Sequence, residues 1–320
     1  MGNPTKAQLH TDRPLTNISV AYQQKDEDYV ATKVFPIVTT LKQSNQYYVY
    51  DIGDSYRSEA AKRAPGTKSK RTGWRTSKGT YFADKWSVGQ DIPDEDRDNA
   101  DEPLDLDRDA TRHITQDMLI AKETEWATAF FTTSVWTGST TATDITPGSL
   151  WDTVASTPIE DVRAQATSIK KKTGFRPNTF VLGIDTFDAL VDHPDILDRI
   201  KYTQKGVVTM DLLAQVFNVD KVMVAEAIKN SGAEEATDSL GFIVGSNDAL
   251  LTHSASSPGI RVFTGGYTFA WRVQGNNGVA TRIRKFRSEE TESDVVEINA
   301  YWDYKVIDAN GGVFFSNTVS

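Results

Sequence analysis

Apolar positions in the middle of the chain alternate between the spacing of strands and the spacing of helices. Thr179 to Leu182 is a short apolar run and Lys221 to Ala225 is another, and both are typical of buried strands. The stretch between them has apolar residues at helical spacing, which predicts two short helices. This order of elements indicates an α/β layer over positions 175 to 225.

Polar residues that cap helices mark where these helices begin and end. Asp185 is expected to cap the first short helix, and Thr209 the second, which Asn218 ends in the left-handed conformation. Upstream, Thr157 to Glu160 has the pattern of a capping box with proline at the first helical position. Gly174, which follows three lysines, is the predicted stop of that helix.

The longest helical pattern runs from about Asp105 to Val135. Its apolar residues fall near one stripe, and acidic residues crowd the first turn, where the helix dipole favours them. The members of the stripe are Leu106, Ala110, Ile114, Met118, Leu119, Ala121, Trp126, Ala129 and Phe130.

Antiparallel β structure is predicted after about Thr268. A strand over 267–273 leads through a Gly-Asn-Asn-Gly turn signal into a strand over 279–286. Apolar and polar residues then alternate from Val296 to Tyr304, so one face of that strand is expected to be buried and the other wet. The long helix and these strands flank the α/β layer, which predicts one domain interrupted by another.

The first 80 residues do not have the pattern of a self-contained domain. Residues 1 to about 30 lack strand or helix periodicity, so they are expected to be disordered or to lie on a neighbouring copy. Two strands are predicted between Val30 and Tyr50, and a basic loop with glycines follows over 51–80. Such a long loop is uncommon inside a compact domain, so we expect a projecting hairpin that packs on another subunit.

Length, charge and cysteine content narrow the class of protein. At 320 residues the chain exceeds one ordinary core, so two domains are expected. It has no cysteine, which excludes disulfides, thiol nucleophiles and thiolate metal sites. The formal net charge of −9 argues against sequence-independent binding of nucleic acid by the whole surface. The sequence has no signal-peptide pattern and no membrane-length apolar run, so a soluble, untargeted protein is predicted.

No catalytic pattern is found in the sequence. The G-x-S-x-G, H-E-x-x-H, G-x-G-x-x-G and P-loop motifs are missing, and the four histidines lack metal-binding spacing. Asp94, Asp96 and Asp98 resemble half of a calcium loop, but Asn99 replaces its glycine and Asp105 its bidentate glutamate. We therefore expect no enzyme activity, no cofactor and no metal site.

Two oppositely charged segments are the candidate contacts between subunits. A basic run from Lys62 to Lys78 contains no acid, and an acidic segment extends from Asp91 to Asp109. We expect the basic loop of one subunit to lie on the acidic segment of a neighbour; a solvated loop is the alternative. The candidate residues are Lys62, Arg63, Lys68, Lys70, Arg71 and Arg75 on the loop, and Asp94, Asp96, Asp98, Asp101 and Asp105 on the acidic segment.

Six segments spread over nearly the whole chain resemble one protein family. None of them is a strict motif, and the resemblance depends on their order along the chain. The segments are ATKVFPIV (31–38), RAPGTKSKRTGW (63–74), HPDILDRIKYTQKGVVT (193–209), VDKVMVAEA (219–227), GFIVGSNDALL (241–251) and PGIRVFTGGYTFAW (258–271). In this order they resemble the major capsid proteins of tailed bacteriophages, which share the Hong Kong 97-like fold.

The resemblance implies an α+β, Hong Kong 97-like capsid fold with four parts. These are an N-terminal arm (1–40), an extended β-hairpin loop (41–85), a peripheral domain with a long spine helix and an antiparallel sheet (86–150 and 268–320), and an inserted α/β axial domain (151–267).

The resemblance also implies a function. The chain is expected to be a major capsid protein that self-assembles through hexamers and pentamers into the icosahedral shell of a tailed phage. That shell encloses double-stranded DNA without sequence-specific binding, is assembled in the host bacterial cytoplasm and involves no membrane. A separate scaffolding protein and a portal are expected partners, and a decoration protein is a further candidate. The alternative is a shell subunit of the encapsulin type, which encloses cargo proteins.

Overall fold

The chain folds into helices packed on two sheets and a projecting ribbon. The computed structural model describes residues 24–100, 105–200, 208–233, 236–272 and 281–320. Most of the predicted arm, the predicted turn at 275–278 and Asp101 lie outside these residues.

The described residues contain eight α-helices and thirteen strands. The helices are α1 (Ala31–Val34), α2 (Ile52–Ser55), α3 (Asp94–Asp98), α4 (Leu106–Phe130), α5 (Pro158–Thr173), α6 (Ile184–Val191), α7 (Pro194–Ile200) and α8 (Met210–Phe217). The strands are β1 (Ile37–Thr40), β2 (Ser44–Tyr50), β3 (Thr76–Phe82), β4 (Asp84–Pro93), β5 (Thr179–Gly183), β6 (Lys221–Ala225), β7 (Ile228–Asn230), β8 (Leu240–Phe242), β9 (Ala249–Thr252), β10 (Gly266–Trp271), β11 (Thr281–Ser288), β12 (Ser293–Val306) and β13 (Gly312–Phe315).

A five-stranded sheet is built around β12, which pairs antiparallel with β4, β10 and β11. At its edge, β1 pairs parallel with β10. The buried face predicted for β12 is confirmed, because Val296, Ile298, Ala300 and Trp302 are buried in a core that they share with α4. This face of the sheet therefore fixes the position of the long helix. The other face was expected to be wet, but Asn299 on it is buried as well.

The long helix α4 begins where the sequence predicts and ends five residues early. Asp105 caps its first turn by accepting a hydrogen bond from the backbone nitrogen of Arg108 (3.1 Å). At the other end, the indole of Trp136 folds back and donates to the carbonyl oxygen of Phe130 (2.7 Å). A turn that satisfies this last carbonyl ends the helix at Phe130, so the predicted extension to Val135 is wrong.

A four-stranded sheet with the order β13-β9-β5-β6 forms the layer over which α5 to α8 pack. Strands β5 and β6 are parallel, and β9 is antiparallel to both β5 and β13. The two strands predicted at Thr179–Leu182 and Lys221–Ala225 are confirmed. Strand β13 joins this sheet and not the sheet of β10 to β12, although it follows β12 in the chain.

The predicted helix ends are partly confirmed. Thr209 accepts from the backbone nitrogen of Leu212 (3.4 Å), and Asn218 and Gly174 adopt φ angles of 55° and 85°. Asp185 is not a cap, because α6 already begins at Ile184 and the cap position is occupied by Gly183.

The capping box predicted at Thr157 does not form. Helix α5 does begin with Pro158, but the Thr157 side chain makes no capping hydrogen bond. The Glu160 carboxylate, which the box would need, instead accepts from the guanidinium of Arg199 on α7 (3.2 Å). A contact between two helices has replaced the local one.

Both strands predicted between Val30 and Tyr50 are present as β1 and β2, but the first begins only at Ile37, and the segment before it is helical and buried. Ala31–Val34 forms α1, and Val30, Val34 and Phe35 are buried in a core shared with the end of α4; Tyr29 is buried too. These residues pack on their own chain, so the arm predicted over residues 1 to about 30 does not extend to Tyr29.

Candidate assembly surfaces

A two-stranded ribbon projects from the five-stranded sheet. Strands β2 and β3 pair antiparallel from Ser44↔Phe82 to Tyr50↔Thr76, as the predicted hairpin requires. Tyr47 and Tyr81 stack on Phe269 of β10, with ring centroids 5.5 and 4.4 Å apart. An isolated ribbon is marginally stable in water, so this aromatic base holds it in place.

The neck of the loop at residues 51–75 is closed by an ion pair. The guanidinium of Arg75 donates to both carboxylate oxygens of Asp54 (2.9 and 3.1 Å), and its backbone nitrogen donates to the same carboxylate (3.0 Å). The hydrogen bond from the Arg75 side chain is the main cause of the lowered pKa of Asp54. Arg75 therefore has an internal partner that orders the loop.

The remaining basic candidates of the loop divide into two groups. Lys70 forms an ion pair with Glu59 of the same loop. Within the described part of the chain, no ion pair is found for the side chains of four other candidates, namely Lys62, Arg63, Lys68 and Arg71. Trp74, in the same loop, is 71% exposed. These four residues form a cationic tip of the loop, beside the exposed indole of Trp74.

Of the acidic candidates, one pairs with a base of its own chain and another caps a helix. Asp94 accepts two hydrogen bonds from the guanidinium of Arg287 on β11 (2.5 and 2.6 Å), which is the main cause of its lowered pKa. Asp105 caps α4. Asp96 and Asp98 form no ion pair with another described residue, and Asp101 lies outside the described residues.

A second ion network lies beside the first on the same sheet. Asp294 of β12 accepts from Arg97 (2.6 Å) and pairs with Lys285 of β11 (3.1 Å), and Asp107 pairs with the same two cations (3.0 and 2.9 Å). Hydrogen bonds from Lys285 and then Arg97 lower the pKa of Asp294. The strand β11 was predicted, but its pairing with the acidic segment was not, although the basic residues within Arg282–Arg287 could have indicated such a partner.

Glu123 is a buried acid that sequence reasoning also missed. It lies on α4 with no exposed surface, and its carboxylate accepts hydrogen bonds from the backbone nitrogens of Val30 and Ala31. Burial raises its pKa to about 7. Its burial could have been suspected from the sequence, because Glu123 lies among the small and aromatic residues at the end of the apolar stripe of α4.

The described residues hold no group of three or more acids and histidines arranged for a metal ion. His193 is buried, and its ring nitrogens contact the Ser156 hydroxyl (2.9 Å) and the backbone nitrogen of Asp195 (3.1 Å), in keeping with a structural role. In the part of the chain that the structure describes, no helix has the length and apolarity needed to cross a membrane.

Comparisons with known proteins agree with one another. A family model described as phage major capsid protein E matches residues 138–263. The major capsid protein of Burkholderia phage BcepMu is 25% identical over 295 residues, which cover 92% of this chain and 93% of that protein.

Solved structures share the fold. A phage-related protein from Bordetella bronchiseptica superposes with a TM-score of 0.69 at 20% identity and covers 92% of this chain and 93% of its own. The mature capsid of bacteriophage PhiM1 superposes with a TM-score of 0.62 at 10% identity, covering 93% and 89%. The predicted resemblance to phage major capsid proteins is confirmed.

Proposed function

We infer that the chain is a phage major capsid protein whose copies assemble into the icosahedral shell of the virion. The observation that carries this function is the match to the BcepMu major capsid protein, which spans 92% of this chain and 93% of that protein. The function is structural, so the chain acts by packing against copies of itself. Many repeated weak contacts then sum to a stable shell.

The proposal includes the Hong Kong 97-like form of the fold. Three features support it, namely the long helix α4 on the five-stranded sheet, the α/β layer that interrupts them, and the ribbon of β2 and β3. In this form α4 is the spine helix, the five-stranded sheet belongs to the peripheral domain, and the four-stranded sheet belongs to the axial domain.

The loop at residues 51–75 is proposed to contact a neighbouring subunit. Its cationic tip at Lys62, Arg63, Lys68 and Arg71 and the exposed Trp74 support this contact. The acidic segment at Asp91–Asp109 is the proposed acceptor, and Asp96 and Asp98 are two of its exposed or half-buried members for which no ion pair is found among the described residues. Complementary charges would set the register of the loop, since single surface pairs contribute little.

The proposed partners follow from a shell that encloses DNA. Copies of the chain form hexamers and pentamers in the host cytoplasm, with a separate scaffolding protein and a portal. A net charge of −9 fits a wall that does not hold the genome tightly.

Electron microscopy of the purified protein tests the function. The chain is expressed alone and together with the gene products encoded beside it, and the particles are imaged and their contents analysed. Closed shells, filled with DNA when the phage packages its genome, are expected. Shells that enclose a cargo enzyme would favour the encapsulin alternative. Small particles of uniform size under every condition would contradict a shell subunit of either kind.

A further inference from the structure

An exposed surface with aromatic, aliphatic and basic side chains lies at the carboxyl end of α5. The hydroxyl of Tyr56 donates to the carbonyl oxygen of Thr173 (3.1 Å), and the ring of Phe175 stacks on Phe263 with centroids 4.9 Å apart. Ile260, in the loop that carries Phe263, is 91% exposed. We refer to this surface as the basic patch, and its members are Tyr56, Phe175, Arg176, Ile260, Arg261 and Val262.

The backbone of the basic patch is strained at one residue. Arg261 has a φ of 62°, which residues other than glycine rarely adopt, and its guanidinium lies 5.5 Å from the ring centroid of Tyr50. A backbone of this kind persists where the surroundings hold it. Here it accompanies exposed apolar side chains of the kind that mark interaction sites in soluble proteins.

A surface of opposite charge lies on α6 and α7. Asp185, Asp188 and Asp192 recur at spacings of three and four residues, which places them on one face, and all three are exposed. Asp198 and Leu197 of α7 are exposed too, Leu197 by 44%. None of these four aspartates forms an ion pair with another described residue. We refer to these five residues as the acidic face.

Helix α5 separates the two surfaces. Its first turn contacts α7 through Glu160 and Arg199, and its last residue, Thr173, contacts Tyr56 of the basic patch. A helix of 16 residues is about 24 Å long. The two surfaces therefore lie at opposite ends of one rigid element and do not meet within one chain.

We propose that the basic patch of one copy docks on the acidic face of the next copy. Two different surfaces that fit each other make a heterologous contact, and such a contact closes into rings when the rotation allows it. The apolar side chains on both surfaces supply the desolvated centre, and the charges orient the approach. The inference rests on the proposed function, because a shell subunit is expected to meet its copies in rings.

Two charge-reversal variants test the pairing. The first carries Arg176→Asp and Arg261→Asp, and aspartate tolerates the positive φ at 261. The second carries Asp188→Arg, Asp192→Arg and Asp198→Arg, which leaves three arginines and one aspartate on the acidic face. Each variant alone sets like charges against each other, so its assembled fraction should fall at least tenfold in sedimentation velocity. Circular dichroism checks that each variant is folded.

A mixture of the two variants gives the decisive result. In an equimolar mixture every alternating contact joins opposite charges, so assembly should recover, and only rings with an even number of subunits can close. A matched control carries Arg163→Asp and Asp220→Arg, which reverse exposed charges outside both surfaces and should leave assembly as in the unaltered chain.

Each outcome separates the docking from the shell function. If both variants form shells like the unaltered chain, the docking is wrong and the capsid function stands. Folded variants whose mixture stays unassembled also overturn the docking. If the unaltered chain forms only rings and the mixture restores them, the docking stands and the shell function fails. A chain that stays monomeric alone and with its gene neighbours overturns both.

Discussion

The carboxylate of Glu123 and the backbone nitrogen of Ala31 are joined by a 2.8 Å hydrogen bond inside the core. The same carboxylate accepts from the backbone nitrogen of Val30 (3.1 and 3.2 Å). Burial is the main cause that raises the pKa of Glu123 to about 7, and the hydrogen bonds from Ala31 and Val30 oppose the rise. This acid fastens the chain that enters α1 to the long helix α4.

We predict that Glu123→Gln reduces the pH dependence of stability. Because the folded pKa lies above the ordinary value of 4.5, the folded chain binds the proton more tightly, and the contribution of Glu123 to stability falls as pH rises from about 4.5 to about 7. Glutamine keeps an oxygen acceptor without the charge, so the variant should be more stable above pH 7 by roughly 1–3 kcal/mol. Urea unfolding at pH 5 and pH 8 measures this difference.

The control for this prediction is Glu289→Gln, since Glu289 is largely exposed. The free energy of unfolding of this variant should equal that of the unaltered chain at both pH values. If the Glu123→Gln difference is the same at pH 5 and pH 8, Glu123 does not titrate in this range.

We predict that Gly174→Ala destabilises the chain and loosens the loop at residues 51–75. Gly174 has a φ of 85°, and a methyl group there would meet the ring of Tyr56. The expected loss is about 1–2 kcal/mol, from the left-handed backbone and the clash together, in thermal unfolding. Gly148→Ala is the matched control, because nothing lies within 4 Å of its added carbon. Equal melting temperatures for the two variants would contradict the contact.

We predict that Asp294→Asn weakens the ion network on the five-stranded sheet. The change removes the charge that holds Arg97 (2.6 Å) and Lys285 (3.1 Å). Because these groups are partly exposed, we expect a small loss of stability at low salt and a smaller one at 1 M salt, where screening is strong. Denaturant unfolding at the two salt concentrations measures it. A loss that does not change with salt would argue against an electrostatic origin.

We predict that reversing Lys62, Lys68 and Arg71 to Glu blocks or misdirects assembly while the monomer stays folded. The reversal makes the tip of the loop negative, so it repels an acidic acceptor. Electron microscopy measures assembly, and circular dichroism checks that the monomer is folded. Lys42→Glu is the control outside the loop. Adding Asp96→Lys and Asp98→Lys should restore shells if the acidic segment is the acceptor. Normal shells from the triple variant would show that the tip is merely solvated.

We predict that Phe315→Ala unfolds or strongly destabilises the four-stranded sheet. Phe315 of β13 is fully buried against Trp151 and Phe180, so removing its ring leaves a cavity. The expected loss is about 3–5 kcal/mol in denaturant unfolding. Phe242→Ala is the matched control, since Phe242 is exposed, and it should change stability by less than about 1 kcal/mol. Similar losses for both would contradict the packing of β13.

Local patterns predicted the elements that local physics decides. The apolar runs of β5 and β6, the buried face of β12 and the stops at Gly174 and Asn218 each depend on a few neighbouring residues, and the structure has them as predicted. The loop was predicted because its polar and basic residues lack the apolar positions that a segment needs to pack into a core.

Contacts between distant segments could not be predicted in this way. Glu160 bonds to Arg199 instead of closing a capping box, and Trp136 ends α4 by reaching back to Phe130. Asp94 pairs with Arg287, which lies 193 residues away in the sequence. In each case a contact between distant segments replaces the locally preferred one. The sequence around one partner gives no indication of which residue the other partner is.

The parallel pair of β1 and β10 joins positions roughly 230 residues apart. During synthesis, β1 leaves the ribosome long before its partner is made, by on the order of ten to fifty seconds at ordinary elongation rates. The ribbon of β2 and β3 depends on the same late strand, because Tyr47 and Tyr81 stack on Phe269. In a nascent chain the ribbon therefore has no aromatic base to pack on until β10 is made. A subunit can join its neighbours only after that point.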